Sequence, residues 1–65
     1  MTPEVQKFIS FKANTLDRVS SGELTVRMAN TLIQPELDRC IHASYLTKQD
    51  FIKEVLTNQY PPNVS

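Results

Sequence analysis

The stretch Ser21-Gly22-Glu23-Leu24-Thr25 decides the fold of this chain, because it ends one helix and begins the next. Gly22 is the only glycine in the sequence, and glycine readily adopts the left-handed conformation that closes a helix. Thr25 belongs to the residue types whose side-chain oxygen accepts a hydrogen bond from the free amides at a helix N-terminus. The stretch therefore predicts two helices joined by a short turn.

Residues 3–20, before this stretch, have the pattern of an amphipathic helix. Thr2, Pro3 and Glu4 provide an N-cap, a proline at the first helical position and an acid in the first turn. At about 100° per residue, the apolar side chains of this segment gather in one arc. The members of the arc are Val5, Phe8, Ile9, Leu16 and Val19.

Residues 25–46, after the turn, carry apolar stripes on both sides of Pro35. Proline has no backbone N–H and disfavours the α conformation of the residue before it. We therefore predict one helix over residues 25–34 and another over residues 35–46. A single kinked helix from 25 to 46 is the alternative.

The last predicted helix covers residues 48–58. Thr47 and Asp50 form a capping box with Asp in the place of Glu, and an apolar stripe follows. Residues 59–65 contain two consecutive prolines and predict an extended, frayed tail.

These patterns predict an all-α fold, with three or four short amphipathic helices in a single domain over residues 1–58. A domain of this size is marginal, because ordering each residue costs about 1.5 kcal/mol and burial only just offsets that sum. Cys40 is the only cysteine, so a disulfide within the chain is excluded. We therefore expect dimerisation, or a partner, to complete the bundle.

The sequence contains no recognisable catalytic constellation. Cys40 and His42 lie two residues apart, and on a helix such residues point about 160° away from each other, so they cannot form a thiolate–imidazole pair. His42 is the only histidine, which gives a metal site little to bind, and one glycine cannot build a phosphate-binding loop. We predict that the chain is not an enzyme and carries no cofactor or metal.

Charge and hydropathy restrict the surroundings of the protein. Seven basic residues balance seven acidic ones, which does not favour non-specific binding to nucleic acid. No apolar run exceeds two residues, and the N-terminus lacks the basic-then-apolar order of a signal peptide. We expect a cytoplasmic protein that does not enter a membrane.

The function predicted on these grounds is protein binding by a small regulator, adaptor or inhibitor, together with homodimer formation. Lys12 falls inside the apolar arc of the first helix, where its stem packs on apolar neighbours or its ammonium meets an acid across an interface. Phe11 lies at the edge of the arc, where it could extend an interface. The predicted interface residues are Phe8, Phe11, Lys12 and Thr15.

Two other classes of function stay open. Residues 25–46 have the lengths of a helix-turn-helix, so a dimeric DNA-binding regulator is the first alternative, with Arg27 and Arg39 as its DNA contacts. Glu36 and Asp38 oppose it, because acids at the start of a recognition helix repel phosphate. The second alternative is a structural or assembly subunit.

Overall fold

The computed structural model describes residues 2–59, which form three helices in the order α1 (Pro3–Ser20), α2 (Val26–Ser44) and α3 (Lys48–Gln59). Each helix contacts the other two, and the described residues contain no β-strand. The all-α prediction is confirmed. No described helix is long and apolar enough to cross a membrane.

Helix α1 begins and ends as its sequence predicts. Thr2 caps it, because the Val5 N–H donates to the Thr2 hydroxyl at 3.3 Å, and Pro3 occupies the first turn. The chain leaves the helix through Gly22, which has a φ of +87°. The amides of Glu23 and Leu24 then donate to the Arg18 carbonyl at 2.9 and 3.1 Å, which satisfies an acceptor at the helix end.

Helix α2 runs without interruption through Pro35, so the predicted separation into helices 25–34 and 35–46 is wrong. The alternative of one helix over this segment is the observed arrangement. Thr25 caps it as predicted, accepting from the Met28 N–H at 3.1 Å. Pro35 lies on the exposed side of the helix, where water can hydrate the carbonyl that proline leaves without a donor.

A tight turn joins α2 to α3. Tyr45 adopts the left-handed conformation, with a φ of 61°, although glycine or asparagine is the usual residue at such a helix end. The Leu46 N–H donates to the Ser44 hydroxyl at 3.2 Å, and the Asp50 N–H donates to Thr47 Oγ1 at 3.1 Å. The second bond is the predicted cap of α3, which begins at Lys48.

The core lies where the N-terminal half of α1 and the C-terminal half of α2 meet α3. Phe8 and Phe51 pack edge to face at its centre, with 5.9 Å between ring centroids. The buried cluster comprises Val5, Phe8, Cys40, Phe51 and Val55, and the half-buried side chains around it are Ile9, Ile33, Leu37, Ile41 and Leu46.

Two sequence predictions differ from the structure at the edges of the fold. Leu16, which was expected in the buried arc of α1, is 43% exposed because it lies beyond this core. Gln59 belongs to α3 rather than to the predicted tail over residues 59–65. The rest of that tail, residues 60–65, lies outside the described residues.

Candidate functional site

An apolar groove lies beside the core and is lined by all three helices. Its space is about 230 Å³, and its walls come from all three helices. Six of its seven lining side chains are apolar, and the seventh is a lysine. The lining residues are Phe8 and Lys12 of α1, Ile33 and Leu37 of α2, and Ile52, Val55 and Leu56 of α3.

The floor and the outer wall of the groove differ in exposure. Phe8 and Val55 form the floor and belong to the core, each with 5% of its surface exposed. On the outer wall, Ile52 is 37% exposed and Leu56 is 51% exposed. They follow each other by one turn of α3, so together they present a continuous apolar surface to the groove.

Lys12 is the only charged residue that lines the groove. It lies within the apolar arc of α1, as predicted, and its side chain is half-buried. The ion pairs of the described residues join Arg18 with Glu23 and Arg39 with Glu36, so none of them includes Lys12. The groove therefore combines an apolar surface with one cation that forms no ion pair among the described residues.

The other predicted interface residues lie in different surroundings. Phe8 is at the core side of the groove, and Phe11 is half-buried outside it. Thr15 is only 3% exposed, and its hydroxyl donates to the Phe11 carbonyl at 2.8 Å, so it offers almost no surface to a partner. The structure thus brings Phe8 and Lys12 together and leaves Phe11 and Thr15 out.

Sequence reasoning missed five residues of the groove, namely Ile33, Leu37, Ile52, Val55 and Leu56. All five were visible as apolar positions at helical spacing, and that spacing is typical of core residues. The sequence shows which side chains share a stripe. It does not show which part of the stripe another helix covers.

A second apolar patch lies on the N-terminal half of α2. Met28 and Leu32, one turn apart, are 49% and 42% exposed, and Arg27 and Thr31 complete the lining of a shallow depression of about 320 Å³. This patch involves a single helix, so it lacks the second and third walls of the groove.

Cys40 and His42 diverge on α2, as their spacing predicts. The Cys40 side chain is buried at 1% exposure and lies 3.6 Å from a carboxylate oxygen of Glu36, to which its thiol donates. Burial, and then the negative charge of Glu36, raises the pKa of the Cys40 thiol. A buried, protonated thiol is a poor nucleophile. His42 is exposed on the other side of the helix.

Glu36 also holds Arg39 in a bidentate ion pair, in which the guanidinium donates to both carboxylate oxygens. The hydrogen bond from Arg39 is the main reason why the pKa of Glu36 is lowered, and the same bond raises the pKa of Arg39. The Arg39 side chain keeps 62% of its surface exposed. Its charge is therefore largely matched within the chain.

Residues 25–46 do not form a helix-turn-helix, because α2 continues through the predicted turn. Arg27 and Arg39 lie on this one helix, twelve residues apart. That separation amounts to about 18 Å along the axis and about 120° around it. The two arginines therefore do not converge on one surface that could read a groove of DNA.

In comparisons with known proteins, no family model, no curated protein and no solved structure matches this chain.

Proposed function

We propose that this chain is a non-enzymatic protein-binding module, a regulator, adaptor or inhibitor, that receives its partner in the three-helix groove. The half-exposed wall formed by Ile52 and Leu56 carries the proposal. Covering apolar surface is favourable by about 25 cal/mol per Å², and a concave apolar site surrounded by helices is the usual form of a docking groove.

The test is affinity capture with a variant that blocks the groove. Leu56→Asp places a carboxylate on the outer wall, at a position that is 51% exposed. Val26→Asp is the matched control, because Val26 is 66% exposed, lies outside the groove and occupies the first turn of α2, where an acid is favourable.

We expect the native chain and Val26→Asp to capture the same partner protein, and Leu56→Asp to fail to capture it. Amide exchange of the complex should then show protection over residues 33–37 and 52–56. Equal capture by all three chains would show that the groove is not the site that binds the partner.

Homodimer formation is a second proposal, supported by the patch at Met28 and Leu32 on α2. Two copies of this helix face can pack about a two-fold axis, since such an interface joins the same patch of both subunits. Sedimentation equilibrium should give a dimer for the native chain and a monomer for Leu32→Glu. A native monomer at high protein concentration would exclude this proposal.

A further inference from the structure

The walls of the groove restrict the conformation of what binds there. Every lining residue belongs to a helix, and a helix does not present the row of free N–H and C=O groups that a strand edge has. An extended peptide would therefore find no free strand edge to pair with. Polyproline segments dock between exposed aromatic side chains, whereas Phe8, the only aromatic residue of the lining, is 5% exposed. An α-helix makes its backbone hydrogen bonds internally, so it is the conformation that suits this groove.

Lys12 restricts the charge of the occupant. A purely apolar helix laid over the groove would remove water from the Lys12 ammonium, which has no ion-pair partner among the described residues. Such a charge opposes binding. A carboxylate on the flank of the incoming helix replaces the lost water with a charge-assisted hydrogen bond.

A second copy of this chain fits the groove poorly. Stacking groove on groove about a two-fold axis places two copies of Lys12 in one interface, and none of the seven lining residues is acidic. Like charges placed together across an interface exclude the wrong partner. The positive charge of Lys12 therefore favours a different chain in the groove over a second copy of this one.

We infer that the groove takes an amphipathic helix of another protein, with an apolar stripe along Ile33, Leu37, Ile52 and Leu56 and an Asp or Glu that pairs with Lys12. This inference rests on the proposed function, because it names the chemistry of the partner that the groove receives. The carboxylate sets the register of the helix, since only one position along its flank lies opposite the ammonium.

The experiment is a selection from a displayed library of one amphipathic helix of about five turns. Its leucine stripe is fixed, and its flanking positions are randomised among Glu, Lys, Gln and Ala. The baits are the native chain, Lys12→Met, Lys12→Gln and Leu56→Asp. Lys7→Met is the matched control, because Lys7 is an exposed lysine of the same helix outside the groove. Thermal unfolding verifies that each bait is folded.

The expected result is an enrichment of Glu over Lys, by about tenfold or more, at one flanking position with the native chain and Lys7→Met. Both variants at Lys12 should lose this preference while still capturing helices, and Leu56→Asp should capture none. The two Lys12 variants differ in polarity, so agreement between them assigns the effect to the charge.

Three results would overturn the inference. If captured helices require Leu56 but show no preference for Glu, the acidic partner is refuted and the proposed function of the groove still holds. Helices captured equally by Leu56→Asp would show that the library binds elsewhere. A native dimer that Leu56→Asp converts to a monomer would make a second copy the occupant.

Discussion

Replacing Pro35 by alanine should stabilise this protein substantially. Pro35 lies inside α2 and has no N–H, so the carbonyl of Thr31, four residues earlier, has no donor within the helix. Both residues are exposed, so alanine at position 35 restores this hydrogen bond and removes no buried contact. The substitution therefore isolates the effect of proline on the helix.

The expected gain is about 2 kcal/mol. Proline in a helix interior is about 3 kcal/mol less favourable than alanine, and its restriction of the unfolded chain returns about 0.4–1 kcal/mol of that. A chain of 65 residues has a total stability of about 3–10 kcal/mol, so this change is large in proportion. It corresponds to a rise in Tm of about 8–16 °C.

Urea unfolding followed by circular dichroism measures the change, and Pro3→Ala is its control. Pro3 occupies the first turn of α1, where the missing N–H breaks no helical bond, so we expect a loss of up to about 1 kcal/mol there. If α2 were instead broken at Pro35, that proline would also begin a helix, and Pro35→Ala would change the stability in the same way as Pro3→Ala. A gain below about 0.5 kcal/mol for Pro35→Ala would refute the continuous helix.

The turn after α2, the Glu36–Arg39 pair and the thiol each give a further prediction. Tyr45→Asn should raise the free energy of unfolding by about 1 kcal/mol, because asparagine tolerates the left-handed conformation better. Tyr45→Ala should change the stability little, because the tyrosine is 96% exposed. Equal effects of the two substitutions would contradict the left-handed conformation as the cause. Glu36→Gln should lower stability by about 0.5–1 kcal/mol at neutral pH in chemical denaturation, a small effect because water screens the Arg39 end of the pair, which is 62% exposed. Because the pKa of Glu36 is lowered in the folded state, this contribution exists above the unfolded pKa and disappears as the pH falls through the folded pKa, so the variant and the native chain should converge in acid. Cys40 should react with a thiol reagent at least about 100-fold more slowly in buffer than in urea, as an opening free energy of about 3 kcal/mol implies, and similar rates would mean that the thiol is accessible.

Helix boundaries could be predicted from the sequence wherever local chemistry determines them. Thr2, Gly22, Thr25 and Thr47 act within one turn of their own position, and all four act as predicted. Pro35 is the exception, because its local preference for a helix boundary is overridden by packing at a distance.

The packing that overrides Pro35 can be identified on α2. Ala29 and Cys40, on either side of the proline, are each 1% exposed. They are eleven residues apart, which returns them to within about 20° of the same helix face. A break at Pro35 would rotate one of them out of its buried position, so burial of both favours a continuous helix over two independent ones.

The groove could be predicted only in part, for a related reason. Lys12 could be identified because a charge within an apolar arc is a conflict visible in the sequence. Ile52 and Leu56 could not be separated from the core residue Phe51, because their exposure depends on the angle at which α3 crosses the other helices. Thr15 shows the opposite case, where a polar residue is buried because its hydroxyl finds a backbone carbonyl on its own helix.

The position of α3 links the occupancy of the groove to the local stability of the fold. Phe51 and Val55 are its buried residues, and Val55 also lines the groove, so undocking this helix opens the core and dismantles the binding site in one event. A bound partner therefore makes that opening rarer, by about 2.7 kcal/mol when its free concentration is about 100 times its Kd. Slow amide exchange in the third helix would thus serve as a gauge of how full the groove is, readable without any label on the partner.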